Sequence, residues 1–352
     1  MRVLFDSSVT DFDRGDTSRY VAALLPRLLD LGAPVQEVSM QSTWPWSARL
    51  PRSARVLLHD LVGVPRGSVS LGRALGATLY HGAGFKVPPR APFRTSVTIH
   101  DDTPWDEPPT ARLYNRVYMR RIMSAAAPHL AGAITSTEAT AAAILSRLPA
   151  LAGRLHVTPW GVDHRVFYPR PRGEVERAMA AARVSKPYVL LVAPYGPRKN
   201  APAMLRALGL ASDATPGLQA LVVGRHDPPG DDPLPVVRRG RVSDDELAAL
   251  YTGAQFLLYA SLKEGFGLPV LEALACGCPA ITSRGSALEE IGGDGVVAVD
   301  PAAVADIADA CRRLLRDEGA RDRLAARGPA HAAAYTWEET ARRSVRAWED
   351  MS

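Results

Sequence analysis

Short apolar runs separated by helix-length segments recur along the whole chain, and no other feature constrains its fold as much. Strands buried on both faces read as near-continuous apolar runs, the habit of parallel sheets with crossover helices. In the first half the strand candidates are Arg2–Asp6, Thr78–His81, Thr95–His100, Gly132–Thr135 and His156–Thr158. In the second half they are Tyr188–Ala193, Gln219–Gly224, Val236–Arg239, Gln255–Tyr259, Pro279–Thr282 and Val296–Val299. Val21, Leu24, Leu25 and Leu28 fall at helical spacing and predict a helix over about Thr17 to Leu31, kinked at Pro26 and stopped by Gly32. Further helices are expected at about Ala201–Leu210, Asp244–Thr252, Pro269–Ala275 and Ala302–Arg316. Pro169-Arg-Pro171-Arg-Gly173 interrupts both periodicities, so two α/β units meet near residues 160–185. Thr336-Trp-Glu-Glu339 reads as a capping box opening a terminal helix.

Composition agrees with two globular units. At 352 residues the chain exceeds what one core usually organises, and 47% hydrophobic with 22% charged residues is ordinary for a soluble protein. There is no run of eighteen apolar residues, and Met1-Arg-Val-Leu-Phe-Asp6 enters a strand without a signal-peptide pattern, so a cytoplasmic protein is expected. Cys276, Cys278 and Cys311 cannot form a disulfide framework, and the Cys-Gly-Cys pair lacks zinc-site spacing. The net charge of +5 comes from scattered arginines, with small clusters at Arg238-Arg239-Arg241, Arg312-Arg313 and Arg342-Arg343. That distribution reads as a solvated basic face and predicts no nucleic-acid partner; attraction to acidic lipids, and hence peripheral membrane contact, stays open. No internal repeat is visible, and Asp227–Pro233 reads as a surface loop.

The stretch with most chemical content is Glu264-Gly-Phe-Gly-Leu-Pro-Val-Leu-Glu272-Ala273. It sets two carboxylates eight positions apart around a glycine-rich turn that opens a helix, with Pro269 suited to the first helical position. The unpaired amides of a helix start face anions, and Glu264 and Glu272, the latter expected in the first helical turn, can accept hydrogen bonds from sugar hydroxyls. Upstream, Arg198 and Lys199 follow the apolar run Tyr188–Ala193 and precede Asn200, a candidate N-cap, so two cations and a helix start converge at a strand's carboxyl end.

This segment resembles the signature of retaining glycosyltransferase family four. The likeness extends to Pro197-Arg198-Lys199-Asn200, Val97-Thr-Ile-His100-Asp101, Pro159-Trp-Gly-Val-Asp163, Val242-Ser-Asp-Asp-Glu-Leu247 and Tyr335-Thr-Trp-Glu338, in the family's order. It implies a GT-B fold: two Rossmann-like parallel-sheet domains facing a central cleft, here an acceptor-side domain over residues 1–165, a nucleotide-sugar domain over 166–335, and a helix over 336–352 returning to the first. It further implies a retaining, metal-independent transferase that moves a hexose from a nucleotide-diphosphate sugar, GDP-mannose or a UDP-sugar, to a hydroxyl acceptor, with no cofactor. The acceptor would be a saccharide, a lipid-linked molecule or a small molecule.

By the same resemblance His100 and Glu264 meet the transferred sugar, Arg198 and Lys199 the diphosphate, and Glu272 the ribose. The amides of Gly265, Phe266, Gly267 and Leu268 meet the distal phosphate and sugar, while Arg225, Arg241 and Val242 flank the base. Gly15 alone remains of the glycines that relatives carry in the loop Asp13–Ser18. Simpler readings stand beside these. Arg198 and Lys199 suit a solvated surface, Glu272 could only pair with a helix dipole, and His100-Asp101 could only cap a strand. Asp101 and Asp102 make a poor metal site, and Trp160 reads as packing before acceptor stacking. A catalytically silent scaffold, a GT-B epimerase or a phosphorylase is the alternative function; a dinucleotide oxidoreductase lacks its Gly-x-Gly-x-x-Gly after the first strand.

Overall fold

The computed structural model describes residues 1–12, 15–39, 45–49, 51, 54–55, 58, 69–88, 91–106, 113–194, 196–226 and 231–352. They form two compact units, Met1–Gly161 with Trp337–Ser352, and Val162–Thr336.

The first unit carries a six-stranded parallel sheet of β1 (Val3–Asp6), β2 (Val35–Val38), β3 (Leu79–Gly82), β4 (Arg94–Thr98), β5 (Gly132–Thr135) and β6 (Leu155–Val157). Their order is β2-β1-β3-β4-β5-β6, so the direction of winding reverses between β1 and β3. Helix α1 (Asp16–Asp30) runs through Pro26 and buries Tyr20, Val21, Leu24 and Leu28; helix α2 (Glu138–Arg147) starts at Thr137, whose side chain caps Thr140. One face of the sheet is filled by Leu4, Tyr80, Val97, Ile99, Met119, Met123, Ala133 and Ile144. On the other, Trp348 of the C-terminal helix Trp337–Asp350 packs edge-on to Phe5, with ring centroids 6.1 Å apart, and 5.1 Å from His81.

The second unit has β7 (Tyr188–Val192), β8 (Gln219–Val223), β9 (Val236–Arg239), β10 (Leu257–Tyr259), β11 (Ala280–Ser283) and β12 (Val296–Val299). Their order, β12-β11-β10-β7-β8-β9, is the doubly wound arrangement with its reversal between β7 and β10. Every residue of β7 is buried, as a central strand covered on both faces must be. The longer helices are α3 (Arg172–Ala182), α4 (Ala201–Ala211), α5 (Asp244–Gly253), α6 (Leu268–Ala275), α7 (Val304–Arg316) and α8 (Glu318–Ala332), with a short one at Ala287–Gly292.

Three expectations need correcting. Strand β2, helices α2, α3 and α8 and the short helix Ala287–Gly292 are additions to the elements named from the sequence. Asn200 is not an N-cap: it sits in the left-handed region at φ 60°, and its side-chain amide donates to the carbonyls of Ala260 and Pro301 at 2.9 and 2.8 Å. In α6 the first helical residue is Leu268, with Pro269 second, so Glu272 lies fifth and falls outside the first turn.

Candidate functional site

Sheets of this winding bind ligands beyond the carboxyl ends of the strands that flank the reversal. In the second unit those strands are β7 and β10, and the charged residues singled out above stand at their ends. Arg198 and Lys199 lie in the one-turn helix Pro197–Lys199 after β7, and Glu264 in the loop after β10. A main-chain bond from Leu262 N–H to Arg198 O, 2.9 Å, ties the two loops together.

The side chains form one cluster. Arg198 donates to Glu264 Oε2 at 2.7 Å and to the Lys263 carbonyl at 2.6 Å, while Lys199 Nζ donates to Glu264 Oε1 at 2.6 Å. The Glu264 side chain is only 6% exposed and that of Lys199 12%, against 27% for Arg198. Burial pushes the Glu264 carboxyl up, but Lys199 and Arg198 outweigh it and hold the group below the usual carboxylate range. Two cations around one carboxylate leave the cluster with one net positive charge. Tyr259, which the sequence reading passed over as the end of an apolar run, belongs to the same cluster: its hydroxyl accepts from Lys199 at 2.7 Å and donates to Glu264 Oε1 at 3.2 Å.

Helix α6 opens beside Glu264. No side chain caps its start; Pro269 carries no N–H and Val270 N–H bonds the Gly267 carbonyl at 2.9 Å, so of the first helical turn it is the Leu268 amide that stands at the open end of the helix. Its N-cap Gly267 has φ 99°, and a Cβ there would come within 2.2 Å of Leu288 Cδ2, which restricts the position to glycine. Phe266 and Leu268 are buried on either side of it, and Gly265 is half-buried. Glu272 is 1% exposed and accepts from the Tyr251 hydroxyl at 3.2 Å. A carboxylate at that depth is held in one direction, unlike one that only faces a helix dipole in solvent. Arg225 follows β8 and Arg241 follows β9; both are exposed, Val242 is half-buried, and Gly224 N–H bonds the carbonyls of Arg239 and Gly240 between them.

His100 and Gly15 belong to the first unit. Gly15 is exposed and extended, with φ −91°, at the N-terminus of α1; Asp13 and Arg14 of the same loop lie outside the described residues. His100 ends the segment after β4 and is buried. Its Nε2–H donates to the Ala83 carbonyl at 2.8 Å, which in the neutral ring leaves the lone pair on Nδ1. Tyr20, Phe85 and Trp160 approach the imidazole edge-on at 5.2, 5.1 and 5.3 Å. Trp160 also stacks on Tyr20 at 5.1 Å and is buried, so its role is packing. Behind it His81 bonds Ser96 and Thr98, each at 2.9 Å, and burial, with help from nearby His100, lowers its pKa to about 3 against a smaller opposing effect of Asp6. Asp101 folds back to accept from Thr103 N–H at 3.1 Å and from its hydroxyl at 2.7 Å, which makes a turn of the Asp101-Asp102 pair. Among the described residues no group of three or more His, Cys, Asp or Glu side chains could hold a metal ion.

With this geometry in hand, comparison with known proteins is direct: residues 236–331, which include the α6 turn and both glutamates, match the family described as glycosyl transferases group 1. That segment carries the likeness to the family, and the chain is a glycosyltransferase. Among its relatives, the O-antigen chain mannosyltransferase B of Escherichia coli is 28% identical over 283 residues, 77% of this chain and 74% of that protein. The MMP alpha-(1->4)-mannosyltransferase of Mycolicibacterium hassiacum is 31% identical over 259 residues, 70% of this chain but 59% of its own length. Among solved structures, the sucrose-phosphate synthase of Thermosynechococcus elongatus superposes with a TM-score of 0.75 at 21% identity, covering 99% of this chain and 98% of that one. The glycosyltransferase thus has the GT-B fold, and no helix among its described residues is long and apolar enough to cross a membrane.

Proposed function

We propose that this glycosyltransferase moves a hexose, with retention and without a metal ion, from a nucleotide-diphosphate sugar to a hydroxyl acceptor. One observation carries the reading: Arg198 and Lys199 converge on Glu264 at the strand reversal of the second unit, beside the uncapped start of α6. The departing diphosphate develops negative charge on its bridging oxygen. A guanidinium, an ammonium and the amide that opens α6, fixed in advance, would stabilise that charge without reorganising. Glu264 would accept from hydroxyls of the transferred sugar, and the deeply set Glu272 from the ribose. With no carboxylate assigned as nucleophile, the acceptor hydroxyl would enter on the face the diphosphate leaves and pass its proton to a phosphate oxygen. His100, through Nδ1, would hold the sugar and need not act as a base. The mannosyltransferase names of the relatives favour a GDP-mannose donor, with UDP-sugars next.

The test is a panel of GDP, UDP, TDP and ADP read by thermal shift, followed by turnover with the matching sugar donor in EDTA. The cognate nucleotide at a hundred times its Kd should add about 2.7 kcal/mol of stability. Turnover that vanishes in EDTA and returns with magnesium would remove the metal-independent part. An Arg198→Ala, Lys199→Ala double variant within about threefold of the parent would remove the assignment of the phosphate grip, since each such bond is worth about 1.5–3 kcal/mol. Binding of nucleotide without transfer to any acceptor would favour a silent scaffold.

A further inference from the structure

Tyr259 is the last residue of β10, 2% exposed, and paired in register with Thr282 of β11. Nothing in the chain's sequence distinguishes it from a core aromatic. Its hydroxyl nevertheless stands at the meeting point of the two groups assigned to the diphosphate and to the transferred sugar. It accepts from Lys199 Nζ at 2.7 Å and donates to Glu264 Oε1 at 3.2 Å, while its ring centroid lies 5.1 Å from the same ammonium.

The geometry matters because a lysine head is a tetrahedral ammonium on a flexible stem, and one hydrogen bond leaves it free to spin about that bond. Two bonds in different directions fix it. With one N–H committed to Glu264 Oε1 and another to Tyr259, the direction of the third is set by the tetrahedron. A backbone tie holds the frame as well, since Tyr259 belongs to a strand whereas Lys199 lies in a one-turn helix and Glu264 in a loop. The phenol is also the group here that can accept from the cation and donate to the carboxylate at once. Phenylalanine in its place would keep the packing and the ring face but sever both links.

We propose that Tyr259 is a positioning residue of the donor site, which fixes the orientation in which Lys199 meets the diphosphate by holding its ammonium and the Glu264 carboxylate to one strand end. The proposal rests on the nucleotide-sugar reading given above. It makes Tyr259 part of donor binding, with no contact to the acceptor and none to the reacting carbon.

The experiment is steady-state kinetics of Tyr259→Phe against donor and acceptor separately, with calorimetric titration of the cognate nucleotide diphosphate. Donor KM and nucleotide Kd should each rise about tenfold, the order of one hydrogen bond to a charged group, while acceptor KM is unchanged. Unchanged donor KM and nucleotide Kd would overturn the proposal, as would a loss confined to kcat, which a general loosening of the fold would give. Because the ring is buried, a second variant guards against misfolding: 3-fluorotyrosine at position 259 is nearly isosteric and a weaker acceptor. It should raise donor KM with no change in melting temperature; an unchanged KM overturns the proposal there too. A parent enzyme that binds no nucleotide diphosphate sinks the proposed function itself, whereas an active parent matched by both variants sinks only the role of Tyr259.

Discussion

Beyond β7 and β10 the polar groups are ionic: Glu264 is ringed by Lys199, Arg198 and one phenol, and its ionised form is held by charge. In the first unit the buried imidazoles are held otherwise: His81 within β3 and His100 after β4 bond hydroxyls and a carbonyl and are walled by Tyr20, Phe85, Trp160 and Trp348. The two units thus keep polar side chains buried by two different means. In one unit removing a partner strands a charge; in the other it opens a cavity.

Four measurements would break or sharpen that contrast. Trp348→Ala, at a fully buried site, should lower unfolding stability by about 3–5 kcal/mol through lost packing, with little dependence on salt. A loss under about 1 kcal/mol in chemical denaturation would show that aromatic packing does not hold the first unit. Lys199→Ala should cost about 3 kcal/mol because Glu264 is left partly uncompensated, and adding Glu264→Gln should recover much of it. If the double variant is as unstable as the sum of both singles, the cluster is not coupled by charge.

Glu272→Gln should weaken the cognate nucleotide diphosphate by about tenfold to a hundredfold, one charge-assisted bond, whereas Glu264→Gln should impair transfer more than nucleotide affinity. Equal calorimetric affinities in the parent and both variants would remove the ribose from Glu272. The fourth measurement concerns His81, whose effect is small per pH unit. Its folded pKa of about 3 lies below the ordinary 6.5, so between those values the unfolded chain binds the extra proton and stability falls as pH falls. The slope should be about 1.4 kcal/mol per pH unit and should disappear in His81→Gln, after allowance for that variant's lower starting stability. A slope equal in both would place the acid sensitivity elsewhere.

Much of the fold is legible in the sequence for a simple reason: strands such as Tyr188–Val192 are buried on both faces and have no polar positions to blur them. Strand β2, Val-Gln-Glu-Val at an edge with Gln36 and Glu37 exposed, offers only two apolar residues and no such signal. Helix α3 was hidden by Pro169 and Pro171, although Pro171 stands at its N-cap, before the first helical residue. Helix α8 is rich in alanine and arginine, carries Pro329 inside it and buries only Gly328 and Ala332, so it lacks an apolar stripe. In the site, charge and glycine spacing pointed to Arg198, Lys199, Glu264 and Gly267. They could not point to Tyr259, because a phenol that bridges two ions and one that fills a core look alike in sequence, nor to the left-handed turn at Asn200, which depends on carbonyls 60 and 101 residues away.

The helix Trp337–Asp350 belongs to the unit that also contains β1, so the first sheet receives Trp348 against Phe5 only after the entire second unit has been synthesised. During synthesis β1 to β6 would leave the ribosome with the Phe5 and His81 side of their sheet uncovered. The second unit, all of whose parts lie between Val162 and Thr336, could complete itself first. At about 5–20 residues per second, roughly ten seconds or more would pass in which an apolar sheet face is open to other chains. The second unit therefore matures as an insertion inside the first, and folding yield should be governed by how long the first waits for its last helix.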